Sequence, residues 1–402
     1  MWTILLNFTM KLLFKMENKK KARVIAFYLP QFHPIPENDK WWGKGFTEWT
    51  NVGKAKPLFR GHNQPRVPAD LGYYDLRMPE IRELQAEMAH EAGIEGFMYW
   101  HYWFGNGKQL LERPFNEVLE SGKPNFPFCL GWANHDWTTK SWESGKNHIK
   151  QEVIQKQLYP GEEDYTNHFY HLLKAFKDTR YIKVDNKPLF LIFDPFHMED
   201  PKTFFSVWTK LAVNNGFNGF HFVGITDNNV SYKKDGLKFL FEKSNEIAAK
   251  RYRQILDMGF DAVNSRGYYR TQMLSNGIFK GYVKSKFKKL LGIGIDKYKY
   301  KDIINNIFIE EDKWENVYPS IIPNYDRSPR SGKKAVIWYG STPQLFKKHV
   351  EDALKVVVNK SEDNKIIFLK SWNEWGETNY IEPDVTHGKS YLDSLKECLL
   401  TD

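Results

Sequence analysis

Short apolar runs alternate with amphipathic stretches along almost the whole chain. The runs are Val24–Leu29, Gly96–Trp100, Phe126–Trp132, Pro188–Phe193, Phe220–Ile225, Ala262–Asn264, Tyr318–Pro323 and Ile366–Leu369. Between them, Ile81–Ala92, Asp164–Lys177, Thr203–Asn214 and Pro343–Val358 carry apolar residues at the helical period. Eight strand–helix units in succession predict an α/β fold, a closed (β/α)8 TIM barrel with long βα-loop insertions. The competing doubly wound sheet would place a Gly-rich phosphate loop after the first strand, where this chain has a Trp- and His-bearing segment. Residues 22–402 read as one domain, with a basic helical insertion at about 265–316 and an N-terminal extension, 1–21, that is disordered or non-native.

In such a barrel the chemistry belongs at the C-terminal ends of the strands. The first predicted end leads through Tyr28 and His33 to Trp41, Trp42, Glu48 and Trp49, and the second to Tyr99, His101 and Tyr102. The third leads to Trp132, Asn134, His135 and Asp136, the fourth to Asp194, the fifth to Asp227 and Asn228, and the seventh to Asn324 and Asp326 with Arg327 and Arg330 beyond. The eighth runs into Lys370-Ser-Trp-Asn-Glu-Trp-Gly-Glu377, which contains Trp372, Asn373, Glu374, Trp375 and Glu377. Polar and aromatic residues therefore gather on one rim. Two carboxylates in an aromatic-walled cleft are the minimal equipment for making or breaking a glycosidic bond. Indole faces stack on the apolar C–H faces of sugars.

Each candidate also has a plainer reading. A Glu-x-x-Glu segment can be a solvated turn, Asp194 can cap the next helix, and Glu48 can anchor a loop. His33, His101 and His135 match no zinc spacing, and read as partners of sugar hydroxyls or as satisfied core histidines. No metal and no cofactor is expected.

Composition adds three points. Aromatics reach 16%, with 14 Trp and 21 Tyr, which suits a carbohydrate cleft or an aromatic-rich core. The net charge of +9 is concentrated in Lys280–Lys301, where eight lysines face a single acid, Asp296. No nucleic-acid module accompanies that stretch, so it reads as a solvated helical face, with peripheral contact at an anionic membrane surface as the functional alternative. Only Cys129 and Cys398 are present, so there is no disulfide framework. With no cleavable leader pattern, the expected location is cytoplasmic, at most peripheral to the inner face of the membrane.

Tyr28-Leu-Pro-Gln-Phe-His33, Trp41-Trp42-Gly-Lys-Gly-Phe-Thr-Glu-Trp-Thr-Asn51 and Trp372-Asn-Glu-Trp-Gly-Glu377, with Ile381-Glu-Pro383 downstream, resemble the WbsX-type proteins. These carry a domain like glycoside hydrolase family 99, the endo-α-mannosidases. The resemblance runs from about Arg23 to Asp384. It implies a (β/α)8 barrel acting on oligo- or polysaccharide in bacterial surface-polysaccharide (O-antigen or capsule) metabolism. By the same resemblance Glu374 matches the acid acting on the sugar 2-hydroxyl, and Glu377 the acid/base at the leaving oxygen, with retention through a 1,2-anhydro sugar. Two positions depart from the pattern. His135-Asp136 stands where Glu-Asn is common, and Thr378 stands where Gly is usual.

Three functions follow as alternatives. One is a retaining glycosidase or transglycosylase acting on α-linked, mannose-like glycans. The second is a glycosyltransferase using a sugar-nucleotide or lipid-linked donor, whose phosphate would need Arg327, Arg330 or the lysine stretch. The third is a non-catalytic glycan-binding barrel, which would not require two acids at the eighth strand end.

Overall fold

A computed structural model describes residues 20–138, 152–226, 244–276 and 295–400. Its centre is eight strands: β1 (Arg23–Tyr28), β2 (Gly96–Trp103), β3 (Phe128–Trp132), β4 (Lys187–Ile192), β5 (His221–Ile225), β6 (Ala262–Ser265), β7 (Val317–Ile321) and β8 (Ile366–Leu369). Each pairs in parallel with the next, and β8 returns to β1 with Val24 opposite Ile367. The barrel is closed. Every strand falls on a predicted apolar run, because strands covered on both faces are nearly continuously apolar. The largest boundary shift has a local cause. β2 continues to Trp103 because Tyr102 and Trp103 pair antiparallel with Leu110 and Gln109.

The helices Pro79–Glu91, Glu162–Lys177, Pro201–Asn214 and Pro343–Val357 match the four amphipathic stretches. Three begin on proline, whose missing N–H is not needed in a first turn. Asp200 and Thr342 cap two of them by accepting from Thr203 N (3.1 Å) and Leu345 N (3.3 Å). Much of the aromatic excess is core. Trp208 is fully buried among Phe204, Phe190 and Phe220, with ring centroids 4.7–5.2 Å away, between β4, β5 and their helices.

The insertion after β6 differs from the helical excursion expected. Its described part holds helices Tyr268–Asn276 and Tyr300–Ile304 and a strand, Asp296–Lys299, paired in parallel with Val336–Tyr339 outside the barrel. Alternation explains the strand: Lys297 and Lys299 are exposed while Asp296 and Tyr298 are half-buried. Tyr268, Tyr300, Ile303, Ile304 and Trp338 form a small core beneath it. Lys280, Lys284, Lys286, Lys288 and Lys289, Asp227 and Asn228, and residues 1–19 lie outside the described residues. Among the described residues no helix is long and apolar enough to cross a membrane.

The loop after β8 is anchored from within by Glu382. Its buried carboxylate accepts from Trp375 Nε1 (2.6 Å), Gln85 Nε2 (2.6 Å) and Tyr74 OH (2.9 Å). No cation pairs with it among the described residues, and burial pushes its pKa up to about 7, against the pull of those donors. An acid whose pKa is higher folded than unfolded takes up extra protons in the native state. Its contribution to stability therefore falls as pH rises from the ordinary Glu range to about 7. Glu382→Gln should raise Tm relative to wild type more at about pH 8 than at about pH 5, by the equivalent of at most a few kcal/mol at ~1.4 kcal/mol per pH unit. A difference independent of pH in thermal melts would refute this.

Candidate active site

Seven strand tips surround one cavity of about 300 Å³ at the C-terminal mouth of the barrel. Gln31 follows β1, Trp100 and Tyr102 belong to β2, and His135 and Trp137 follow β3. Phe193 follows β4 and Arg266 follows β6, while Tyr325, Arg327 and Arg330 follow β7. Lys370, Glu374 and Glu377 follow β8.

Arg330 is the electrostatic centre. Its Nη1 lies 3.0 Å from Glu374 Oε1 and 2.9 Å from Glu377 Oε1. Its Nε and Nη2 bind the two oxygens of Glu48, each at 3.0 Å. Glu48 is fully buried behind the cavity, so its role is to hold the guanidinium in place. Gly376 makes this possible. A Cβ there would stand 1.6 Å from Glu48 Oε1 and 2.8 Å from Arg330 Nε.

Glu377 also meets Arg327 Nε and Lys370 Nζ, each at 3.2 Å. Burial would raise its pKa, but Lys370, Arg327 and Arg330 together hold the carboxyl far below the usual carboxylate range. Glu377 is therefore ionised. The backbone N–H of Glu374 donates to Ser371 Oγ (2.7 Å), and the short turn Trp375–Glu377 ends at Thr378 with φ of +52°. This is left-handed backbone that a β-branched residue adopts only under constraint. Gln64 Nε2 supplies one, donating to Thr378 Oγ1 (3.0 Å).

The structure brings Tyr102, His135, Glu374 and Glu377 to the cavity, and places the other candidates around it. Tyr28 and Tyr99 pack on each other (4.5 Å) against the surrounding helices, and Tyr28 OH donates to Gln85 Oε1 (2.6 Å). His101 pairs with His168 (Nε2–Nε2 2.9 Å). Tyr99 and His101 face outward because alternate side chains of a strand point to opposite faces. By that rule Trp100, between them, faces in. His33 Nδ1 bonds Pro30 O (3.0 Å), and burial lowers its pKa to about 4. Trp132 donates to Trp103 O (2.8 Å). Asn134 exchanges two hydrogen bonds with the backbone of Asp194 (2.8 Å each), tying two strand tips together, and Asp194 accepts from Phe196 N as a helix cap.

Asp136 accepts from Gln157 N (2.7 Å) and does not line the cavity. His135 does line it, against Phe193 (4.9 Å), and burial lowers its pKa to about 4. Asp326 is buried and accepts from His62 and Gln64 (2.7 and 2.8 Å), while Asn324 lines a separate small cleft. Trp41 packs behind Trp137 (5.9 Å), and Trp42 lies by Phe46. Trp49 packs on Trp375 (5.4 Å). Asn373 ties the β8 loop to Leu29 by two hydrogen bonds (2.7 and 3.0 Å).

The expectation that Trp372 and Trp375 wall the cleft is corrected. Both indoles are buried, Trp372 against Phe97 (5.2 Å) and Trp375 stacked on Tyr380 (3.5 Å). The aromatic wall is Trp100, Tyr102, Trp137, Phe193 and Tyr325 instead. Sequence reasoning missed Trp100 and Trp137, although strand alternation signals the first. It also left out Arg266 and Lys370, which no motif marked as part of the pocket.

The whole chain resembles solved glycoside hydrolases in fold. A GH99 endo-α-mannosidase from Bacteroides thetaiotaomicron superposes with a TM-score of 0.53 at 14% identity, covering 94% of this chain and 96% of that one. A protein described as glycoside hydrolase-like gives 0.54 at 16% identity, with 96% of each chain covered. In sequence, the WxcX proteins of two Xanthomonas campestris pv. campestris strains are 31% identical over 387 residues. The match covers 94% of this chain, which spans about half the length of those relatives. The model of the family described as "Glycosyltransferase WbsX" matches residues 24–395, so the chain belongs to the WbsX family of carbohydrate-active enzymes.

Proposed function

We propose that the barrel mouth transfers or cleaves an α-linked, mannose-like glycosyl group with retention, in bacterial surface-polysaccharide metabolism, using Glu374 and Glu377. The observation that carries this reading is that one Arg330 nitrogen bonds both carboxylates inside an aromatic-walled cavity. Two oxygens bonded to one nitrogen at 3.0 and 2.9 Å stand no more than about 6 Å apart, close enough for both acids to act on one sugar residue. Glu374 acts on the sugar 2-hydroxyl and Glu377 at the oxygen on the anomeric carbon. The mannose-like configuration fits because attack by the 2-hydroxyl requires it trans to the leaving group.

The ionised state of Glu377 favours a second reading of the same centre, transfer from a phosphate-activated donor. A carboxylate can accept the proton of an incoming hydroxyl, but cannot protonate a departing sugar oxygen. A phosphate needs no such proton. The bond from anomeric carbon to phosphate oxygen breaks, the phosphate leaves with the electron pair, and the acceptor oxygen replaces it as Glu377 takes the acceptor's proton. Arg327, Arg330 and Lys370 supply the positive field such a leaving group requires.

Incubation of the purified protein with α-mannoside oligosaccharides, with and without sugar nucleotides, separates these readings. Products formed only with a nucleotide donor would select the second. In either case Glu377→Gln should lower turnover by about 10²–10⁴-fold with an unchanged circular dichroism spectrum; a fully active variant would remove Glu377 from the mechanism. Gly376→Ala should push Glu48 and Arg330 apart, lowering activity and costing ~1–3 kcal/mol in denaturant unfolding. Gly53→Ala, at a site with no neighbouring atoms within 4 Å of the new Cβ, should leave activity unchanged.

A further inference from the structure

Arg266 is held differently from the other cations of the cavity. It follows β6 directly, lines the cavity, and is only 3% exposed. Its guanidinium lies over the rings of Phe193 (5.4 Å), which also lines the cavity, and Phe27 (5.6 Å). Among the described residues its buried Nε and Nη2 have no hydrogen-bond partner, and no carboxylate lies within ion-pair distance. Arg330, by contrast, is bound by three acids. The turn that presents Arg266 is tight. Gly267 has φ of +63°, and a Cβ there would stand 2.7 Å from Ile307 O. A buried charge without a counter-ion is costly, and aromatic faces offset only part of that cost. Four cations line the cavity and, with Glu48 behind Arg330 counted, meet three acids among the described residues, so one positive charge is left over.

We propose that the substrate carries a negative group, a sugar carboxylate or a phosphate ester, beside the bond acted on, and that Arg266 receives it with Arg327 and Lys370 alongside. This rests on the reading of the cavity as the glycosyl-processing centre and names the substrate class it takes. The planar guanidinium offers parallel N–H donors that match the oxygens of either group. A neutral hexose would leave those donors buried and unpaired, which is the physical basis of strong rejection. Arg266 is thus the residue that decides specificity for charge.

The test measures binding of methyl α-mannoside, methyl α-mannuronoside and α-mannose 1-phosphate by calorimetry, using the full-length chain carrying Glu377→Gln so that no turnover intervenes. One anionic sugar should bind at least about tenfold more tightly than the neutral one, and which of the two does so distinguishes carboxylate from phosphate. Adding Arg266→Met should reduce the preference to about twofold or less while leaving Tm unchanged or higher, because an apolar side chain of similar length relieves an unpaired charge. If that variant does not fold, Arg266→Gln asks the same question with a neutral polar group. Equal affinity for all three sugars, binding of none, or a preference that survives both substitutions would overturn the proposal. If Glu377→Gln alone retained turnover, the catalytic reading would fail while an Arg266-dependent anion preference still stood.

Discussion

Three carboxylates from two distant parts of the chain converge on one guanidinium. Glu48 comes from the loop after β1, Glu374 and Glu377 from the loop after β8, and Arg330 from the loop after β7. Such a buried cluster persists only when every partner is in place, because removing one leaves an uncompensated charge at a cost of ~3–5 kcal/mol. The cluster sets the spacing of the two acids and requires glycine at 376. It also closes the barrel mouth across the β7, β8 and β1 tips, which the Asn373–Leu29 and Asp326–Gln64 hydrogen bonds reinforce.

Around that cluster the barrel separates two kinds of aromatic residue. Indoles between the barrel and its helices join the two, as Trp132 on β3 and Trp208 on the helix Pro201–Asn214 do. Those on the inward face or beyond the strand tips form the cavity wall, as Trp100, Tyr102 and Trp137 do. Much of the unusual aromatic content thus serves packing, and a smaller set faces the space where a sugar would sit.

The fold is shared with glycoside hydrolases, while the family is described as glycosyltransferases. The fold brings two acids to the mouth of a barrel. The surrounding cations hold the Glu377 carboxyl far below the usual carboxylate range, and among the described residues two Arg266 donors have no hydrogen-bond partner.

The eight strands, the principal helices and the two acids at the eighth strand tip were legible in the sequence, because continuous apolar runs and period-3.6 stripes record burial directly. Which face each polar or aromatic residue takes was only partly legible. Tyr99 and His101 read like site residues but alternate away from the cavity, and the described part of the basic insertion includes a strand where a helix was expected. The Arg330 cluster and the place of Arg266 in the cavity were not legible at all. Contacts spanning 282 residues between Glu48 and Arg330 leave no local pattern, and which donors of Arg266 go unpaired among the described residues depends on side chains that fold in from distant strands.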